Sequence, residues 1–93
     1  MTKVYSEEEI RSRIAQIDGW ILEDGCIVRV FQFEDFLQAI QFVNRAAEEA
    51  ERVQHHPDID IRYNKVKMGL VSHDAGGITD KDFQMAQSLN GLA

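Results

Sequence analysis

The strongest constraint on the fold is an alternating run from Asp58 to Leu70. Ile59, Ile61 and Tyr63 alternate with Asp58, Asp60 and Arg62, and Val66, Met68 and Leu70 alternate with Lys67 and Gly69. Successive strand side chains point to opposite faces, so the run dictates two strands, each with one apolar and one polar face. Asn64-Lys65 between them predicts a two-residue turn and an antiparallel hairpin. Such a hairpin needs an apolar layer on one face only.

The rest of the chain supplies that layer and a second hairpin. Ser6 and Glu9 form a capping-box pattern, and Ile10, Ile14 and Ile17 recur at helical spacing until Asp18-Gly19, which predicts a helix over about residues 7–17. Trp20-Ile21-Leu22 and Ile27–Phe33 are strand-like runs joined through Glu23-Asp24-Gly25-Cys26, where Asp-Gly marks a hairpin turn. Trp20 reads as a core or interface aromatic. Glu34-Asp35 opens a second helix whose expected apolar stripe is Phe36, Ile40, Val43, Ala47 and Ala50, joined by Leu37, Ala39 and Phe42. Pro57 disfavours helix at His56, so this helix should stop near Val53–His55. Thr79 and Asp82 cap a third helix carrying Phe83, Ala86 and Leu89. The expected fold is α+β and two-layered: a four-stranded antiparallel sheet with three helices on one face, in the order α-β-β-α-β-β-α. Residues 1–93 read as one domain, without repeat or linker.

Composition narrows the function. Sixteen acidic against ten basic residues give a net charge of −6. That charge argues against tracking phosphates and hence against direct nucleic-acid binding. The single cysteine, Cys26, permits no internal disulfide and fits a reducing compartment. No apolar run is long enough to cross a bilayer and the N-terminus turns acidic at once, so the expected location is cytoplasmic, with no membrane partner. A chain this short has a thin core, and a homo-oligomer would hide more apolar surface.

All three histidines, His55, His56 and His73, lie in or beside the second hairpin. A turn at Asn64-Lys65 pairs Tyr63 with Val66 and, continued outward, sets His56 opposite His73 on the polar face with Asp58 and Asp60. Ile59 and Ile61 would then face the helices. His55 points away from His56, and Glu51 precedes it by one helical turn, close enough to hydrogen-bond an imidazole. The plainest account of His-His-Pro is a polar connector. A metal site on three imidazoles is a second account, disfavoured because adjacent histidines in extended chain diverge and no cysteine accompanies them. Asp82 is explained by capping alone. Gly76-Gly77 has no phosphate-loop spacing, and no nucleophile arrangement is evident.

Taken together, Glu51-x3-His55-His56-Pro57-x5-Tyr63-x9-His73-x8-Asp82 resembles the signature of the pterin-4a-carbinolamine dehydratases, and Asp18-Gly19-Trp20, Tyr63-Asn64-Lys65-Val66 and Gly77-Ile78-Thr79 extend the likeness over most of the chain. The resemblance implies a hydro-lyase. Its substrate would be 4a-hydroxytetrahydrobiopterin or a related pterin left by an aromatic amino-acid hydroxylase. Water leaves C4a, N5 loses a proton, and quinonoid dihydropterin results, with no metal or organic cofactor. Histidine suits this chemistry, since an ordinary imidazole, of pKa about 6.5, offers both protonation states near neutrality.

By the same resemblance His55 and His73 are the acid–base pair and His56 orients or polarises the substrate. Gln54, Val71, Ser72 and Asp74 line the pterin, Glu51 holds a histidine, and Asp82 belongs to the binding site. Some members carry an acidic residue before the His-His pair, where this chain has Gln54. Some relatives act as coactivators that bind a transcription factor's dimerisation helices, so a non-catalytic binding module using the second helix is the alternative. That helix face is also the expected surface of a homodimer or homotetramer.

Overall fold

A four-stranded antiparallel sheet forms the floor of the molecule, with three helices laid on one of its faces. The structure, a computed structural model, describes residues 2–93. In chain order the elements are α1 (Glu7–Ile14), β1 (Ile21–Glu23), β2 (Cys26–Gln32), α2 (Phe36–Val53), β3 (Asp58–Arg62), β4 (Lys65–Leu70) and α3 (Asp80–Leu92), with a 3-10 turn at His73–Ala75 between β4 and α3. The strands lie in the order β1-β2-β4-β3. Fold class and element order are those expected from the sequence.

Local chemistry accounts for the element ends. Ser6 and Glu9 make the reciprocal capping box of α1, and Thr79 and Asp82 make that of α3. The β1–β2 turn holds Asp24 at φ 52° and Gly25 at φ 80°, both left-handed as a tight hairpin of this twist requires. Helix α1 ends at Ile14, earlier than the apolar spacing suggested. The chain then tightens into shorter bonds, with the Ile17 amide donating to the Ile14 carbonyl at 3.0 Å, and Ile17 is still buried.

The core lies between the sheet and the helices. Ile27, Phe31, Val66, Met68 and Leu70 point into it from the strands, and Phe42, Phe83 and Leu89 meet them from α2 and α3. Trp20 is buried at one end, with its Nε1–H donating to Asn90 Oδ1 at 2.9 Å. The α2 stripe is rotated from the expected one. Ala39, Phe42, Ala46 and Ala50 are buried, whereas Phe36 and Leu37 are 51% and 65% exposed and Ala47 faces out. Alanine lets the helix axis approach the sheet closely, so three alanines, with Phe42 as the one large side chain among them, mark the inner face.

Hairpin two differs in register from the expectation. Its turn is Tyr63-Asn64, and Arg62 pairs with Lys65. Tyr63 takes φ 53°, and Asn64 Nδ2 donates to the Phe33 carbonyl at 2.8 Å, which holds Asn64 inside the turn. The same ladder carried outward would set His56 beside Val71, so His56 does not oppose His73. Ile59 and Ile61 pair with Met68 and Val66 and so share their face. They sit on the edge strand beyond the helices, however, and each is 37% exposed.

Candidate active site

Helix α2 ends on Gln54 in the left-handed conformation, φ 53° and ψ 46°, with its amide N–H donating to the Ala50 carbonyl. Glycine or asparagine usually takes such a position. The Gln54 side-chain amide donates to the Glu51 carbonyl at 2.7 Å, which offsets part of the strain. This turn sends the two following histidines to different carboxylates. His56 Nε2 meets Glu51 on the last turn of α2. His55 Nε2 lies 2.6 Å from Asp82 Oδ1 on the first turn of α3. The helix ends before His55, so Glu51 holds His56 rather than His55.

Asp82 is fully buried. Its Oδ2 accepts from the Thr79 amide at 2.9 Å and from Ser72 Oγ at 2.9 Å. Ser72 Oγ also lies 2.8 Å from Thr79 Oγ1. Since Ser72 gives its proton to Asp82, Thr79 must donate in that bond. Asp82 is an acceptor on both oxygens, so His55 presents an Nε2–H to it. In the neutral ring that fixes Nδ1 as the unprotonated nitrogen. A single carboxylate thus ties the end of α2, the end of β4 and the start of α3.

Beyond Leu70 the chain makes an isolated bridge between Ser72 and Gly77 and the 3-10 turn that carries His73. His73 is exposed, and its ring makes no side-chain hydrogen bond among the described residues. A cavity of about 520 Å³ opens between this turn and the end of α2. His55, His56 and His73 all line it, and so do Gln54, Val71, Ser72 and Asp74. Glu51 and Asp82 stand behind the histidines and do not line it. The cavity lies at the end of the sheet, not on its open face. Among the described residues no group of three or more His, Cys, Asp or Glu side chains is placed to hold a metal ion.

The three histidines of the signature line this cavity, with Glu51 and Asp82 behind them, and the match extends along the chain. The family model described as pterin 4 alpha carbinolamine dehydratase matches residues 3–92. The chain belongs to the pterin-4a-carbinolamine dehydratase family. A relative from Acidobacterium capsulatum that bears the family's name is 51% identical over 83 residues, covering 89% of this chain and 90% of the relative. Another, from Nostoc sp., is 47% identical over 90 residues and covers 97% of both chains. A crystal structure from Brucella melitensis, described as a transcriptional coactivator/pterin dehydratase, superimposes with TM-score 0.92 at 35% identity, covering 98% of this chain and 99% of that one.

Four cavity residues of this family member were not among the expected site residues: Thr2, Ala75, Thr79 and Lys81. Thr79 and Ala75 follow from the cap and the 3-10 turn that carry the recognised residues. Thr2 arrives because the N-terminal arm folds back, with the Tyr5 amide donating to the Ile78 carbonyl at 2.9 Å and Tyr5 Oη to Asp80 Oδ1 at 2.6 Å. Lys81 stands next to Asp82 on α3, and a helix capped by Thr79 exposes its second residue beside whatever its third one holds. That adjacency was the available signal.

Proposed function

We propose that this chain dehydrates a 4a-hydroxytetrahydropterin, such as 4a-hydroxytetrahydrobiopterin, to the quinonoid dihydropterin and water. One observation carries the reading: three histidines converge on one cavity, two of them each held by its own carboxylate. Two proton transfers are needed, one to the departing hydroxyl and one from N5. In this reading His73, exposed and without a side-chain partner among the described residues, protonates the 4a-hydroxyl. The C4a–O bond breaks and water leaves. His55 accepts the N5 proton at Nδ1, the nitrogen that its bond to Asp82 leaves unprotonated, and the N5 pair closes the new double bond to C4a. His56, held by Glu51, orients the ring. Gln54, Val71, Ser72 and Asp74 contact the pterin, while Glu51 and Asp82 act through the histidines. The reaction as written calls on no metal or organic cofactor, and in a cell it would restore the pterin used by an aromatic amino-acid hydroxylase, in the cytoplasm.

The test is dehydration of a freshly generated 4a-hydroxytetrahydropterin. Positioned acid or base groups contribute about 10²–10⁴-fold, so His55→Ala and His73→Ala should each lose about a hundredfold or more while remaining folded. A wild-type protein that gives no acceleration over the spontaneous reaction would overturn the reading.

A second role as a protein-binding module is favoured by the outward Phe36 and Leu37 of α2 and by the words coactivator/pterin dehydratase attached to the Brucella melitensis relative. In that role changes on α2 would abolish partner capture and the histidines would be dispensable.

A further inference from the structure

A second cavity, of about 280 Å³, lies in the groove between α2 and α3, and it shares two walls with the first: His55 and Lys81. Its remaining lining mixes polar and apolar side chains: Glu49, Arg52, Gln84 and Ser88 with Val53 and Met85. The two cavities adjoin at His55 and Lys81, and Lys81 stands between them.

The charge on that path is specific. Of the ten Lys and Arg residues in this acidic chain, all but Lys65 and Lys81 are hydrogen-bonded to a protein acceptor among the described residues. Lys65 opens β4 at the end away from the cavity. Arg52 is held by both oxygens of Glu49, at 2.9 and 2.7 Å. Lys81 is thus the one basic side chain at either cavity whose ammonium is uncommitted among the described residues. Both of its carboxylate neighbours in sequence are committed elsewhere, Asp82 to His55, Ser72 and Thr79 and Asp80 to Tyr5 and Arg13. An uncommitted ammonium beside this groove recognises an anion as a point charge.

Resting on the pterin reading above, we infer that the groove between α2 and α3 receives the side chain at C6 of the pterin, and that Lys81 selects pterins whose side chain ends in an anion, a phosphate ester or a carboxylate. The ring is recognised by the first cavity and the tail by the second. The specificity of the site therefore extends to substrates more acidic than a plain hydroxyalkyl pterin.

The experiment is direct binding of oxidised pterins, which are fluorescent and are not turned over, measured by fluorescence titration at low ionic strength. Three ligands share one ring and differ in the tail: a hydroxyalkyl chain, its phosphate ester, and a carboxyalkyl chain. The expected result is an affinity ratio of about fivefold in favour of one or both anionic tails, the scale of a single exposed charge pair, and which anion is favoured identifies the source. In Lys81→Gln the ratio falls to about one, in Lys81→Glu it inverts, and in Lys81→Arg it is retained. Salt should shrink the wild-type ratio. Equal binding of all three ligands by wild type, or a ratio unchanged in Lys81→Gln, overturns this inference and leaves the pterin reading standing. No binding of any of the three overturns both.

Discussion

Asp82 shows how one side chain is used for two purposes. It caps α3, and its other oxygen fixes the tautomer of His55. Replacing it by asparagine keeps the shape but removes the acceptor that faces His55. With the amide oxygen turned to Thr79 and Ser72, the NH2 group faces His55 and forces the opposite tautomer. Asp82→Asn should therefore reduce dehydration by about a hundredfold or more. The stability loss should be about 1–3 kcal/mol, the cost of an imperfectly satisfied buried group. Nitrogen-15 chemical shifts of the ring should move from the Nε2–H pattern to the Nδ1–H pattern; an unchanged tautomer would refute the argument. Glu9 gives a pH-dependent case. Its carboxyl is lowered from 4.5 to about 2, first by the hydrogen bond from Lys3 and next by the Ser6 amide. A lowered carboxylate stabilises the fold fully above its unfolded pKa and loses that contribution as pH falls through the folded value. The stability gap between wild type and Glu9→Gln should be largest near neutrality, narrow below pH 4.5 and vanish only below about pH 2. The residues of the site were legible because their spacing is fixed in the chain. The proposed His56–His73 pairing failed because Tyr63, an unusual residue for positive φ, takes the place in the turn that Lys65 was expected to fill.

At the scale of elements, the capping boxes of α1 and α3 and the Asp24-Gly25 turn could be read directly, since each depends on neighbours in sequence. The inner face of α2 could not. Apolar residues surround much of that helix, and periodicity alone does not say whether alanines or large side chains meet the sheet. The N-terminal arm was equally hidden, because the contacts that bring it to the cavity, Tyr5 with Ile78 and Asp80, are remote in sequence. Its role can be checked at Gly77. A Cβ there would lie 2.7 Å from Val4 Cγ1. Val4 is 44% exposed and can yield, so Gly77→Ala should cost little stability, under about 1 kcal/mol. The arm, and Thr2 with it, should shift at the cavity. KM should rise several-fold with kcat nearly unchanged. A loss confined to kcat would mean that the histidines, not the arm, had moved.

At the scale of the molecule, the helices leave much uncovered. On the far face of the sheet Ile21 and Val30 are 56% and 54% exposed, and on the helix side Phe36 and Leu37 stand outward from α2. Every residue of β3 is exposed at the sheet edge. Small folds with this much apolar surface gain by association. A homodimer or homotetramer through the outer face of α2 is our expectation, and light scattering should detect it. Leu37→Glu should shift the population toward the monomer, and a mass identical to wild type would count against α2 as the contact. The acidic charge, read from sequence as an argument against tracking nucleic-acid phosphates, leaves room for one local cation. Most of the basic residues are neutralised locally, which leaves Lys81 prominent at the cavity.

The Asp82 carboxylate joins segments that are far apart in the chain: His55 lies 27 residues before it, Ser72 ten and Thr79 three. The Thr79 contact is the cap of α3 itself, whereas the other two exist only when the ends of α2 and β4 are docked against α3. The site is therefore a property of the cooperative native state, absent from any intermediate that has formed helices without docking them. In a denaturant titration, activity and near-ultraviolet circular dichroism should disappear together, while an intermediate that kept its helical signal would already be inactive. A catalytic assay on this protein thereby doubles as a probe of complete folding.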